Sequence, residues 1–322
     1  LFIPPQLRDA IGQNQPFPTW VLATHTHTGP SGFDPRLASE LGALGPFSAD
    51  DLEVLVVAAR KAIAQAASSI KPARLELGET LTEGVSAARS GSEVDRRLTV
   101  LRFRGAAGPL AQLLIFSAHP TLVRRGPPGL HPDWPGLLAQ KLEGDEGAIS
   151  LVLQGAAGNA SIERSAWPTP EAAADRLAEL TRAVPTTAQS EELEGAWSEV
   201  HVSLPRPDAR HQVPSFLKAA AENALCDGAE DLAVLHGLRL GSARLLLVPF
   251  EPSFSAGQVL EQQATATRLI SLADGYGGYV ETQETAAAGQ GEARGQYFGP
   301  ELLKELAAGA NLAGRALGQG GH

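Results

Sequence analysis

Methionine is absent from this 322-residue chain and cysteine occurs once, at Cys226. A single thiol excludes an internal disulfide and any zinc site built from several cysteines, so a bound metal must draw on histidine, carboxylate or phenol. The missing methionine leads us to expect that the sequence lacks its true beginning. No signal peptide is visible, and no apolar run reaches the roughly 18 residues of a membrane span. Basic residues are outnumbered, with 26 Lys and Arg against 36 Asp and Glu and a formal net charge of -10. Nothing therefore supplies a phosphate-neutralising patch, which argues against a nucleic-acid or anionic-membrane partner. Arg96-Arg97 and Arg124-Arg125 read as isolated, solvated pairs. Tyrosine is scarce as well: Tyr276 and Tyr279 share one glycine-rich stretch, and Tyr297 follows shortly before the last helix.

What is present suits an enzyme-sized globule. A hydrophobic content of 43% can bury a core as one large domain or two smaller ones. Pro4-Pro5 precedes a short helix, and Ser48 opens a second in which Leu52, Leu55, Val56, Ala59 and Ile63 recur at helical spacing, as if covering a sheet. Two strands, 98–104 and 110–118, are joined by a glycine-rich turn, and the second is apolar enough to be buried on both faces. Ile149 to Leu153 reads as another buried strand, Thr169-Pro170-Glu171 as a helix start, and 235–250 as two strands turning at Gly241-Ser242. Together these predict an α/β fold of mixed β-sheets flanked by helices, with an active site at strand ends.

Several of these segments end in chemistry. If Val21 to Ala23 finish a buried strand, a period of two places His25 and His27 on one face, roughly 7 Å apart. His119 follows the apolar run 113–118, and Glu251 follows Leu245-Leu-Leu-Val248. The loop Gln154-Gly-Ala-Ala-Gly-Asn-Ala-Ser161 leaves N–H groups able to donate to a ligand, or else packs tightly under a neighbouring helix. Singly, His119 could be a core histidine, Ser161 a helix cap and Glu251 the first acidic residue of a helix. Jointly, His25, His27, His119, Glu251, Ser161 and Tyr279 carry the donors of a catalytic zinc site that keeps a position open for water.

The ordered motifs also resemble the neutral/alkaline (non-lysosomal) ceramidases, specifically their N-terminal catalytic domain. They are Ala-Thr-His-Thr-His-Thr-Gly-Pro (23–30), Ala-Ala-Arg-Ser (87–90), Leu-Thr-Val-Leu-Arg-Phe (98–103), Ser-Ala-His-Pro-Thr (117–121) and Pro-Asp-Trp-Pro-Gly (132–136). Gln-Gly-Ala-Ala-Gly-Asn-Ala-Ser (154–161), Phe-Glu-Pro (250–252) and Gly-Tyr-Gly-Gly-Tyr-Val (275–280) complete the series. The resemblance implies one catalytic domain over residues 1–322, lacking its first strands and any C-terminal immunoglobulin-like domain. It implies Zn2+ held by His25, His119, Glu251 and Tyr279, with His27 beside the metal, Arg89 in the active site, and Ser161 as nucleophile or as a residue near zinc-bound water. The implied reaction is hydrolysis of the amide bond of an N-acyl lipid such as ceramide to fatty acid and amine. Stabilisation of the intermediate would fall to His27 and Arg89, supported by N–H groups at 158–161, and His27 or a metal-bound water could protonate the amine. An extracellular or periplasmic setting and transient contact with a membrane surface go with that substrate.

Three departures stand against the family pattern: Ala88 replaces an asparagine, Asn159 an aspartate, and a tyrosine expected a dozen positions after Tyr279 falls at Gly291. They leave open a non-catalytic relative that binds a lipid or partner. A barrel-type metal-dependent amidohydrolase also begins with His-x-His, but needs eight strand–helix units and further ligands at strand ends. His201, His211 and His236 sit instead in polar segments or a hairpin.

Overall fold

Thirteen strands and eight helices are found among the residues that the computed structural model describes, which are 2–36, 45–90, 93–123, 129–189, 195–226 and 232–318. The strands are β1 Arg74–Leu81, β2 Ser86–Ala88, β3 Arg97–Gly105, β4 Gly108–Phe116, β5 Ile149–Gln154, β6 Ala160–Ile162, β7 Thr187–Ala188, β8 Gly195–Ser203, β9 Leu232–Leu240, β10 Ala243–Leu247, β11 Glu251–Pro252, β12 Arg268–Ile270 and β13 Tyr279–Val280. The helices are α1 Pro5–Gly12, α2 Ala49–Ser68, α3 Asp133–Glu146, α4 Pro170–Ala183, α5 Lys218–Cys226, α6 Phe254–Ala264, α7 Gln283–Ala287 and α8 Leu302–Gly318.

Side-chain alternation in the central strands dictates four layers. On β3, Leu98 and Val100 face one way while Leu101 and Phe103 face the other; on β4, Leu114 and Phe116 oppose Leu113 and Ile115. One set packs under Trp134, Leu138 and Leu142 of α3 and Leu177 of α4. The other meets Leu245, Leu247 and Ile270 of a second sheet. That sheet turns its opposite face, Leu235 and Leu246, onto Leu260 of α6 and Leu302 and Leu306 of α8. The first sheet runs β5-β4-β3-β1-β7 and the second β12-β10-β9-β8. Each mixes parallel and antiparallel pairs: β4–β5 and β10–β12 are parallel, β3–β4 and β9–β10 antiparallel. The architecture is therefore mixed α/β with open sheets, which rules out the barrel reading for this chain. Full burial of each large aliphatic or aromatic side chain in these layers contributes about 1.5–3 kcal/mol.

Three local expectations need correction. β5 is an edge strand whose Ile149 and Leu151 are exposed, because the sheet ends there and only alternate residues have a layer to enter. Helix α2, capped by Ser48 as expected, packs chiefly against α1 and a cluster of Phe2, Ile3, Leu7, Ile11 and Phe33 rather than on a sheet. Arg97 is no solvated residue, for it binds Asp95 at 2.8 Å and Glu261 at 2.9 Å. Arg96 remains a surface residue beside Glu83, and Arg124-Arg125 lies outside the described residues.

The Arg97 cluster continues inward to Arg268, whose Nη2 lies 3.0 Å from Asp95 in a fully buried setting. Burial alone would push Asp95 up, but Arg268 and Arg97 outweigh it and hold the carboxyl below its ordinary range. Burial lowers the Arg268 guanidinium, yet its ordinary value is so high that it stays charged. Burial pushes Glu261 up against the pull of the same arginines. This network stands directly behind the 154–158 loop: a Cβ on Gly155 would collide with Ser117 Oγ and come 2.9 Å from Arg268 Nη2. Ser117 Oγ donates to Asp95 and Ser271 Oγ to the Gly155 carbonyl, at 3.1 and 2.6 Å.

Candidate metal centre

The donors arrive on four segments. His119 lies three residues beyond β4, where its N–H bonds the Ala160 carbonyl at 2.9 Å and a parallel bridge aligns it with Ser161. Glu251 and Tyr279 face each other as register partners in the short parallel pair β11–β13. Gly158 lets the 154–161 loop close on β11, because a Cβ there would stand 2.6 Å from the Glu251 carbonyl oxygen. The glycines of this loop thus serve packing against protein rather than against a ligand.

His25 and His27 converge differently from the expected strand alternation. Only Leu22 forms a bridge, with Ala273, and His25 adopts a left-handed backbone with φ 68° before the turn at His27. That kink, not a period of two, turns both imidazoles inward, with ring centroids 4.9 Å apart. Such a conformation is uncommon for a residue with a side chain, and surrounding contacts hold it. Gln154 Nε2 donates to the Thr24 carbonyl, and the hydroxyls of Thr26 and Thr28 both donate to the His131 carbonyl, at 2.8 and 2.9 Å. The Pro132–Gly136 motif is the other half of this clamp: Asp133 accepts from the Val123 N–H and fixes the helix start.

The side chains meet tightly. Glu251 Oε2 is 3.0 Å from His25 Nε2 and 2.9 Å from His119 Nε2, and His119 Nε2 is 3.0 Å from the Tyr279 hydroxyl. One ring-nitrogen donor from each of His25, His27 and His119 lies within 4.8 Å of the others. His119 Nδ1 faces the carbonyls of Ala157 and Ala160 at 2.8 and 3.1 Å. Since a carbonyl only accepts, Nδ1 carries the proton and a neutral ring turns its Nε2 lone pair toward Glu251 and Tyr279. Burial favours that neutral form by lowering the His119 pKa. Burial alone would raise Glu251, but the neighbouring His25 outweighs it and holds the carboxyl well below its ordinary range. A buried lone pair thus confronts a buried carboxylate whose Oε2 accepts no aligned hydrogen bond. A cation between them would resolve the conflict. Two imidazoles, a carboxylate and a phenol are a set that zinc accepts, and the carbonyls on Nδ1 fix the tautomer, as outer partners of metal-bound histidines do.

His27 is the exposed member of the trio. Desolvation of its inner edge, then the neighbouring His25 and His119, pulls its imidazole down to about 3. Arg89 Nη2 reaches the Tyr279 hydroxyl at 3.1 Å and the Gly158 carbonyl at 2.9 Å, and it pairs with Glu292 at 3.1 Å. Ser161 sits in β6 opposite Ala87 of β2, partly exposed and flanked by the buried Ala160 and Ile162. The expected support from N–H groups at 158–161 is reduced: Gly158 N–H bonds the Pro252 carbonyl and Ala160 N–H the Ala157 carbonyl, both within 2.9 Å.

Two of the three departures, Asn159 and Gly291, have physical explanations, and nothing in the structure explains Ala88. Asn159 donates through Nδ2 to the carbonyls of Ser90 and Glu93 and accepts the Phe254 N–H at the start of α6, a set that a carboxylate could not make. Gly291 has φ 58°, and a Cβ there would collide with Glu281 Oε1. Tyr297 lies under the loop instead, its ring 2.6 Å from where a Gly278 Cβ would stand. One participant was not assigned from the sequence. The Tyr276 hydroxyl donates to Glu251 Oε1 at 2.7 Å, and its ring stacks on Phe2 with centroids 4.7 Å apart. The clustering of scarce tyrosines was its signal, but spacing alone could not distinguish a metal ligand from the residue that steers one.

No protein-family model and no curated protein sequence matches the chain. Solved structures do. A crystal structure of neutral ceramidase from Pseudomonas aeruginosa superposes with a TM-score of 0.81 and 19% identity, over 99% of this chain and 65% of that one. A ceramidase complexed with C2 gives a TM-score of 0.81 and 17% identity, over 99% of this chain and 66% of that one. The chain thus spans about two thirds of the length of either, and at such identity the likeness is one of fold. In fold the chain is neutral ceramidase-like.

Proposed function

We propose that the chain is a zinc-dependent hydrolase that cleaves the amide bond of a ceramide-like N-acyl lipid, releasing fatty acid and amine. The observation that carries this reading is the convergence of His25, His119, Glu251 and Tyr279 on one buried point, with a carboxylate facing a lone pair. Those four residues would hold the ion. When bound, zinc supplies Lewis acidity, polarising a carbonyl and lowering the pKa of water toward about 7.

The protein's own groups do the rest. Arg89, permanently charged and anchored by Glu292 and Tyr279, faces the site as the principal donor to negative charge on the carbonyl oxygen. His27 is neutral at pH 7, so it enters as a hydrogen-bond donor, and it returns a proton to the departing amine only after taking one from the attacking group. Ser161, beside His119, either attacks the carbonyl or orients the attacking group. The lipid substrate and an extracellular or periplasmic setting rest on the likeness to ceramidases. Among the described residues no helix is long and apolar enough to cross a membrane.

The test combines zinc content with turnover of a fluorogenic ceramide and of short N-acyl amines. Stoichiometric zinc with chelator-sensitive turnover of the ceramide supports the proposal. Zinc without turnover of any acyl amide would replace it with a metal-stabilised binding protein, the reading that the departures at Ala88, Asn159 and Gly291 keep in play. Trapping an acyl-enzyme on Ser161, or failing to trap one while activity persists, decides that residue's role.

A further inference from the structure

A second concentration of chemistry-bearing side chains lies outside the metal centre, on the edge strand β8. Period-two alternation places Trp197, Glu199 and His201 on one face, and the register sets Glu199 opposite His236 of β9. Helix α1 and residues 18–20 lie across this face and leave a groove of about 880 Å³. Its aromatic corner is formed by the indoles of Trp20 and Trp197, which meet edge to face with centroids 6.3 Å apart and planes at 69°.

The charges around this corner are unequal. Asp9, Glu199 and Asp274 face the groove against one guanidinium, Arg8. Arg8 is committed to the Asp9 carboxylate at 2.8 Å and to the Asp274 carbonyl at 3.1 Å. Asp274 spends its own carboxylate on the Val21 N–H at 2.6 Å and on His236 Nε2 at 3.1 Å. His236 is buried, and its Nδ1 has no hydrogen-bond partner; the Glu199 carboxylate is 3.9 Å away. Glu199 touches His201 at 2.9 Å, but 45% of its side chain remains exposed. An aromatic corner with an accessible carboxylate and, among the described residues lining it, no uncommitted guanidinium or ammonium favours a positively charged solute whose surface is apolar.

We propose that this groove binds an organic ammonium ion, an alkylated or quaternary amine, with its methyl groups against Trp20 and Trp197 and its charge facing Glu199. Trp20, Trp197 and Glu199 set the ligand's chemistry independently of the metal centre, so the two readings stand or fall separately. A neutral sugar, which indoles also stack against, makes no use of the surplus negative charge.

The experiment is calorimetric titration of the full chain with choline and tetramethylammonium, beside the uncharged isostere 3,3-dimethylbutanol and methyl glucoside. The expected result is saturable binding of the two cations only, weakened about tenfold by Glu199→Gln and more by Trp197→Ala. Both positions are surface residues, and unchanged circular dichroism and zinc content in the variants exclude a folding defect. Co-sedimentation with phosphatidylcholine vesicles, competed by choline, would identify the source as a lipid head group; choline binding without co-sedimentation would identify a soluble amine. Equal binding of the neutral isostere, binding of the glucoside alone, or cation binding indifferent to both substitutions overturns the proposal.

Discussion

Replacing Tyr276 by Phe removes one hydroxyl and leaves the ring, so its stacking on Phe2 persists. The lost contact is a 2.7 Å donation to Glu251 Oε1, which keeps Oε2 aimed at His25 and His119. A hydrogen bond to an ionised acceptor is worth about 1.5–3 kcal/mol, and outer partners of metal ligands typically contribute about 10–100-fold in metal affinity. If the centre holds zinc as proposed, Tyr276→Phe should weaken its binding about 10–100-fold, measured by competition with a chromophoric chelator at neutral pH. The phenol should act only through the carboxylate, so its effect should largely vanish in a Glu251→Gln background, a non-additivity that a double-mutant cycle reads directly. Affinity within about threefold of the parent, in a variant with unchanged circular dichroism, would refute the argument that the second oxygen of Glu251 needs a donor to hold its aim.

Other substitutions probe the framework. Asp95→Asn removes the nearest carboxylate from the buried Arg268, leaving Glu79 at 4.0 Å, and should cost about 3–5 kcal/mol in urea unfolding at pH 7. Because the folded Asp95 carboxyl lies below its unfolded value of about 3.9, its contribution is complete above that pH and lost as pH falls toward the folded value. The stability gap between parent and variant should therefore be constant from pH 7 to about 5 and narrow below about 4, and a gap independent of pH would contradict the ionised pair. Asn159→Asp should destabilise by about 1–3 kcal/mol, since two carbonyls would face a carboxylate; a neutral or stabilising result in thermal melting would refute this. Gly291→Tyr should lower the melting temperature without raising turnover, because its backbone is left-handed and Glu281 fills the space; a more active variant would show that the loop can re-form.

Local signals foretold much of this molecule. The Ser48 and Thr169 caps start helices where read, the turn at Gly241-Ser242 joins β9 to β10, and the apolar run ending before His119 is a buried strand. Such features depend on neighbours a few residues away, so composition and spacing carry them. The site was legible as a set of residue types at segment ends, but not as a geometry. The His-x-His pair converges through a left-handed residue rather than a strand, and the loop glycines that invited a ligand instead admit Glu251, Ser117 and Arg268. The buried Asp95–Arg268–Arg97–Glu261 network was likewise invisible, with Arg97 read as surface.

The sequence alone thus determined the chemical vocabulary: thiol-free donors, an acidic surface, segments of strand and helix, and functional groups placed where those segments stop. Only the tertiary structure decided which oxygen of Glu251 meets the imidazoles, which phenol approaches them and which steers the carboxylate, and which backbone N–H groups are already spent. These outcomes turn on contacts between residues as far apart as 25 and 251, whose free energies depend on ångström-scale distance and burial, quantities that no local pattern of residues encodes.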